Sequence, residues 1–99
     1  MAFEVVFTEE ALEDYFKILN YLKSNWTNRE IENFQTEIMD IVELISLFPE
    51  FGKKSIKVEY ARSIMMKPYH KVYYEQIKDT IFILSIFDTR QNPEQNLYQ

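Results

Sequence analysis

The sequence predicts an α+β domain in which a hairpin of two helices packs on one face of a small, mainly antiparallel sheet. Three observations lead to this fold class. The chain has 99 residues, the length of one domain. Its apolar residues recur at helical spacing up to residue 47 and follow strand patterns after that. The two helical stretches are joined by a very short link. The predicted order of elements is therefore β-α-α-β-β-β, in a single domain over residues 1–99.

The first strand and the first helix are separated by a change of pattern at Thr8. Residues 2–7, AFEVVF, form an apolar run rich in valine and phenylalanine, which is typical of a strand. Thr8 has the character of a helix N-cap, with Glu9 and Glu10 in the first turn. Apolar side chains then recur at spacings of three and four and predict a helix over 9–24: Leu12, Tyr15, Phe16, Leu19 and Leu22.

The second helix follows after the short connection 25–27. Thr27 and Glu30 have the spacing of a capping box, which predicts the start of a helix. An apolar stripe continues from there toward Leu47: Ile31, Phe34, Ile38, Ile41, Val42 and Ile45. Two helices with so short a link are expected to pack antiparallel. Pro49 and Gly52, the only glycine of the chain, end the second helix.

The remaining elements are predicted to be strands. Residues 55–60 alternate between polar and apolar side chains, and residues 62–67 either extend that strand or form the next one after a bend. Residues 70–77 and 80–87 form two more strands, joined as a hairpin near residues 78–79. The run TIFILSIF is nearly all apolar, so we expect it to be the most central strand. The polar tail 89–99 is expected to be loosely ordered.

Composition excludes several classes of function. The chain has no cysteine and one histidine, so we expect no disulfide framework, no metal site and no cofactor. A single glycine is too few for a glycine-rich phosphate loop. No apolar run approaches the roughly 20 residues that a membrane span needs. The N-terminus is acidic within four residues, which is unlike a secretion signal. We expect a cytoplasmic protein without membrane contacts.

The net charge of −5 conceals two halves of opposite sign. Residues 1–52 hold three basic and eleven acidic side chains, a net charge of −8, whereas residues 53–99 hold eight basic and five acidic ones, a net charge of +3. Acidic residues favour exposed helix faces and first turns, which accounts for part of this difference. Halves of opposite sign also suggest that separate surfaces have separate roles.

Several segments in this order resemble the RelE/ParE superfamily of bacterial toxins. FTEEALEDYFKILNYL is similar to the opening strand and first helix of that family, and ISLFPEFGKKS to the end of its second helix and the following loop. ARSIMMKPYHKVYYEQIKDTIFILSIFDTRQNP resembles its sheet, with an arginine on a strand, a tyrosine-rich strand, an apolar strand, and an arginine and proline at the exit. The resemblance covers nearly the whole chain.

The resemblance implies the toxin of a type II toxin-antitoxin (plasmid stabilisation) system, neutralised in a hetero-oligomer by a cognate antitoxin that wraps its surface. RelE-like members cut mRNA in the ribosomal A site and are endoribonucleases, whereas ParE-like members inhibit DNA gyrase and are not enzymes of that kind. The acidic total charge of this chain favours the ParE-like branch, which acts by binding its target. Alternatives are a RelE-like mRNA interferase and a degenerate, non-toxic binding module of the same fold.

The positions that match family motifs are few. Arg62, Arg90 and Tyr73 would be catalytic residues only in the RelE-like case. As contacts to a target or to phosphate, the resemblance implies five basic residues: Lys53, Lys54, Arg62, Lys67 and Arg90.

The residues themselves leave other interpretations open. Arginine binds phosphate through two hydrogen bonds, and His70 or Tyr73 has a group able to transfer protons. Equally, Asp88 and Arg90 are spaced for an ordinary exposed salt bridge. Tyrosines that alternate along a strand are more often sheet packing than base-stacking platforms. Trp26, between the helices, is either a core residue or part of a partner surface.

Overall fold

The computed structural model of the chain describes residues 2–91 and Tyr98. Two helices and five strands follow one another along the described residues: β1 Glu4–Phe7, α1 Glu9–Asn25, α2 Asn28–Leu47, β2 Lys53–Lys54, β3 Arg62–Met66, β4 His70–Ile77 and β5 Thr80–Asp88. Both helices pack on one face of a single sheet, so the predicted α+β class and the helix hairpin are confirmed. Within these residues, no helix is both long and apolar enough to cross a bilayer.

Both helices begin where their caps predict. Thr8 is extended, and its hydroxyl accepts a hydrogen bond from the Ala11 N–H at 3.2 Å. At the second helix the Glu30 carboxylate accepts hydrogen bonds from the backbone N–H of Thr27, at 3.2 Å, and from the Thr27 hydroxyl. These bonds satisfy donors that the first turn of a helix leaves without partners.

The sheet has the strand order β1-β5-β4-β3-β2. β1 pairs in parallel with β5, and the other three pairs are antiparallel, so the sheet is mainly antiparallel as predicted. The apolar strand β5 lies inside the sheet, but β4 is the middle strand. The prediction that TIFILSIF is most central is therefore wrong by one place. The reason is that β2 and β3 together extend the sheet on the far side of β4, whereas β1 alone extends it beyond β5.

The predicted strand over 55–60 is also wrong. The Ser55 N–H donates to the Ala61 carbonyl at 2.8 Å, and the Ala61 N–H donates to Val58 at 3.0 Å. These bonds fold the segment back on itself as a loop, and Ile56 is 92% exposed where the alternation pattern expected burial. The two-residue strand β2 precedes this loop, and β3 is a separate strand after it.

The core lies on both faces of the sheet. The face toward the helices buries residues of α1, α2 and the three long strands, among them Leu19, Phe34, Ile45, Val72, Tyr74, Ile81 and Ile83. On the opposite face a smaller cluster of Ala61, Tyr73 and Leu84 is covered by Val58 and Tyr98. The neighbours Tyr73 and Tyr74 are thus buried on opposite faces, as successive strand residues are. Of the tail, only Thr89, Arg90, Gln91 and Tyr98 are described, and the expectation of loose order for residues 92–97 and 99 lies outside the described residues.

Candidate functional site

The predicted site residues lie at two opposite ends of the sheet. Arg62 opens β3 and pairs with Lys54 of β2. At the other end of β3, Met66 pairs with His70, and His70 pairs with Asp88. Four residue steps along a strand span about 13 Å, so the sheet places Arg62 and Arg90 too far apart to hold the same phosphate.

Arg62 is half-buried, and its guanidinium group forms hydrogen bonds within the protein. Its Nη1 donates to the backbone carbonyl of Gly52 at 2.7 Å and to that of Glu50 at 3.1 Å. A guanidinium group suits this position because its donors fan out in one plane and reach two acceptors at once. The contact fixes the loop between α2 and β2 against the start of β3.

Tyr74 holds the same loop from inside the core. Its hydroxyl donates to the Pro49 carbonyl at 2.7 Å and accepts from the Gly52 N–H at 2.8 Å. Burial raises the pKa of Tyr74, and the bond to Gly52 and the nearby Arg62 offset part of that rise. We call the contacts of Arg62 and Tyr74 with residues 49–52 the loop clamp. A Cβ built on Gly52 would lie 2.5 Å from the Tyr74 hydroxyl, so only glycine fits there.

Tyr73 is buried under other side chains on its face of the sheet. It is 1% exposed, and its ring centroid is 5.6 Å from that of Tyr98. It faces the side of the sheet opposite to the helices, whereas its neighbour Tyr74 contacts Arg62's loop from the other side. A phosphate bound at Arg62 would therefore have no access to the Tyr73 hydroxyl.

At the other end of the sheet, Arg90 is held in place by contacts with Asp88 and Tyr69. Its Nε and Nη2 donate to the two carboxylate oxygens of Asp88, at 3.0 and 2.7 Å, so the ion pair is bidentate. Its guanidinium carbon lies 3.6 Å from the centre of the Tyr69 ring, which is a cation–π contact. The hydrogen bond from Arg90 lowers the pKa of Asp88. The Arg90 side chain is nevertheless 53% exposed, so one face of it remains open to a partner.

His70 completes this group, which we call the Arg90 ridge: Tyr69, His70, Asp88 and Arg90. The imidazole is half-buried, with its ring centroid 4.9 Å from that of Tyr69 and 6.1 Å from that of Phe34. Burial lowers the pKa of His70, Asp88 opposes that shift and Arg90 adds to it. The imidazole is therefore kept neutral at lower pH than a free histidine.

The Arg90 ridge lies between two grooves. The first, of about 410 Å³, lies between α1 and the end of β5 and has mixed walls that include Asp14, Lys17, Tyr21 and Asp88. The second, of about 400 Å³, lies between the helix connection and the β3–β4 turn and is mostly apolar, with Leu22, Trp26, Phe34 and Met66 in its walls and Lys67 at its side. Tyr69, His70 and Arg90 contribute to both grooves.

Asp14 sets the position of α1 beside the first groove. Its Oδ2 accepts hydrogen bonds from the Ser85 hydroxyl and from the Ile86 N–H, both at 3.0 Å. These contacts lie just beyond the end of β1, where Thr8 also bonds the Ile83 carbonyl through its N–H and its hydroxyl. Sequence reasoning missed Asp14 because nothing distinguishes it from the other carboxylates of an acidic helix.

The other predicted basic residues are on the surface. Lys53 and Lys54 form the exposed edge strand β2, and Lys67 is exposed at the end of β3. Trp26, whose role the sequence left open, is half exposed and lines the apolar groove. No group of three or more metal-ligating side chains occurs among residues 2–91 and Tyr98.

The single histidine provides a direct test of this geometry. We expect the imidazole of His70 to titrate below the ordinary histidine value in a proton NMR titration, because burial disfavours its charged form. Since the folded pKa is lowered, His70 contributes stability that is complete above about pH 6.5 and is lost as the pH falls below that value. In Asp88→Asn the pKa should fall further, because the carboxylate that favours the imidazolium is gone. A titration above the ordinary value would contradict the burial of His70.

Comparison with known proteins decides the family. A sequence model of the ParE toxin of the type II toxin-antitoxin system parDE matches residues 5–93. The chain belongs to the ParE toxin family. The fold of this ParE-family chain is similar to that of a protein chain solved as "Chromosomal ParDE TA system from P. aeruginosa", with a TM-score of 0.73 at 15% identity. The match covers 88% of this chain and 96% of that one. No curated protein matches the sequence significantly. The predicted superfamily and its ParE-like branch are therefore confirmed.

Proposed function

We propose that this ParE-family chain is a toxin that acts by binding its target, DNA gyrase, in the cytoplasm and that a cognate antitoxin neutralises it. The observation that carries this proposal is the separation of the three residues that the family resemblance implies would be catalytic in an RNA-cleaving member. Arg62, Tyr73 and Arg90 would have to converge on one phosphate, and they lie on two ends and two faces of the sheet.

Cleavage of RNA by its own 2′-hydroxyl needs a proton acceptor, a proton donor and positive charge at the scissile phosphate. Here the charge of Arg90 is offset by Asp88, and Nη1 of Arg62 donates to the carbonyls of Glu50 and Gly52. Binding of a protein target does not require these side chains to meet at one point.

The Arg90 ridge is the surface that we propose contacts the target, together with Lys67. Tyr69 and Asp88 hold Arg90 in one orientation, so little side-chain entropy is lost when a partner binds it. The two grooves beside the ridge offer concave surface for side chains of the partner, and the apolar one has an exposed tryptophan in its wall. Lys53, Lys54 and Arg62 lie at the other end and are not part of this contact.

Expression of the chain without its antitoxin tests the proposal. We expect growth arrest with filamentation and a DNA-damage response, because gyrase inhibition leaves broken or unresolved DNA. Arg90→Ala should raise the inducer concentration needed for that response at least about tenfold, and Lys53→Ala, an exposed control at the other end of the sheet, should not. Rapid loss of translation with cut transcripts would contradict the proposal in favour of an mRNA interferase. Unchanged growth would indicate a non-toxic binding module.

A further inference from the structure

The loop between α2 and β2 and the strand β2 form an exposed surface at the end of the sheet opposite to the Arg90 ridge. We call it the loop-edge surface and define it by four residues: Phe48, Phe51, Lys53 and Lys54. Phe48 and Phe51 are 61% and 63% exposed. Two exposed phenylalanines close together on one short loop provide apolar surface that a partner can bury.

The backbone beneath these phenylalanines is fixed. Tyr74 and Arg62 hold the carbonyls of Pro49, Glu50 and Gly52 and the N–H of Gly52. Because the loop is already ordered, binding at Phe48 and Phe51 costs little backbone entropy.

The edge of the sheet beside this loop is open. β2 pairs with β3 on one side, and no strand of the described chain lies on its other side. Lys53 and Lys54 are exposed and have no ion-pair partner among residues 2–91 and Tyr98. Lysines at a sheet edge repel a second copy of the same strand. They attract an extended segment that carries carboxylates.

The charges of the rest of the chain also favour binding of an acidic segment at this surface, with one exception. Most acidic residues of the chain lie in its first 52 residues, so an acidic segment is repelled by the helix hairpin and attracted to the sheet. The exception is Glu50, an exposed carboxylate between the two phenylalanines. Its negative charge should weaken the binding of an acidic segment slightly, so removal of that charge should increase the affinity.

We infer that the loop-edge surface binds an extended acidic segment of the cognate antitoxin. The segment pairs its backbone with the free edge of β2, places carboxylates near Lys53 and Lys54, and packs an aromatic or leucine side chain against Phe48 and Phe51. This inference rests on the proposed function, which supplies the antitoxin. It assigns target binding and antitoxin anchoring to opposite ends of the sheet.

The experiment measures the affinity of the intact chain for the protein encoded by the adjacent open reading frame. Lys53→Glu/Lys54→Glu and Phe48→Ser/Phe51→Ser should each weaken binding at least about tenfold, and the first should also remove most of its salt dependence. Glu50→Gln should tighten binding about twofold at low salt. Hydrogen exchange should show new protection of the Lys54 amide in the complex, because the Ser55 N–H points toward β3 and the preceding amide of the strand therefore faces the free edge.

A matched control is Lys23→Glu/Arg29→Glu, which makes the same change in net charge near the helix connection, at the other end of α2 from the loop-edge surface. It should change the affinity less than about threefold. A tight complex that both loop-edge variants leave unchanged, or that the control weakens equally, overturns this inference alone. If the wild-type chain does not bind the neighbouring protein, the proposed function is overturned with it. Binding of single-stranded RNA that only Lys53→Glu/Lys54→Glu abolishes would assign the surface to nucleic acid instead.

Discussion

Gly52→Ala is expected to lower the free energy of unfolding by about 2–3 kcal/mol, the upper part of the usual range for forcing atoms into a packed site. The added Cβ would lie 2.5 Å from the Tyr74 hydroxyl and 2.8 Å from a ring carbon of Tyr74. Tyr74 is fully buried and cannot move aside without breaking its hydrogen bonds to Pro49 and Gly52. For a domain of this size, the melting temperature should fall by about 10 °C or more.

The neighbouring substitution Lys53→Ala is the control, because Lys53 is exposed and forms none of the hydrogen bonds of the clamp. It should leave the melting temperature within about 2 °C of the wild type, as exposed substitutions usually do. If Gly52→Ala melted at the wild-type temperature, the close approach of Tyr74 to this loop would be contradicted.

Arg62→Ala is expected to destabilise the fold by about 2 kcal/mol, because two backbone carbonyls lose a charged donor and one of them belongs to a buried residue. Denaturant unfolding measures the effect directly. Arg62→Lys should recover only part of the loss, since a compact, strongly hydrated ammonium group replaces a planar nitrogen whose two N–H bonds both point at backbone carbonyls.

Arg90→Ala is the contrasting variant. Its ion pair with Asp88 is exposed, and exposed pairs contribute little to stability, so no measurable change in unfolding is expected. Equal destabilisation by the two alanine variants would contradict the structural role assigned to Arg62. Because Arg62→Ala weakens the fold, a loss of toxicity in that variant would not identify Arg62 as a target contact, whereas a loss in Arg90→Ala would.

Local sequence patterns predict the elements whose structure depends on contacts between residues that are close in the chain. The caps at Thr8 and Thr27 and the apolar stripes that follow them act within one or two helical turns, so the helices are predicted closely. The hairpin of β4 and β5 is also local. In contrast, residues 55–60 alternate like a strand but form a loop, because Ser55 and Ala61 bond each other and take the segment out of the sheet.

The contacts of the candidate site were harder to predict from the sequence, because most of them join residues that are far apart in the chain. Nothing local shows that Arg62 reaches the carbonyls of residues 50 and 52, or that Asp14 bonds the end of β5. Only Asp88 and Arg90, two residues apart, were predicted as a pair, and they form one. The family motif names Arg62, Tyr73 and Arg90 without indicating that they lie on different ends and faces of the sheet.

Target binding without RNA cleavage is tested most directly by incubating the purified chain with purified DNA gyrase, and separately with ribosomes translating a defined mRNA. We expect inhibition of DNA supercoiling, weakened in Arg90→Ala, and an intact mRNA. Cleavage of the mRNA with unaffected supercoiling would contradict the proposed function.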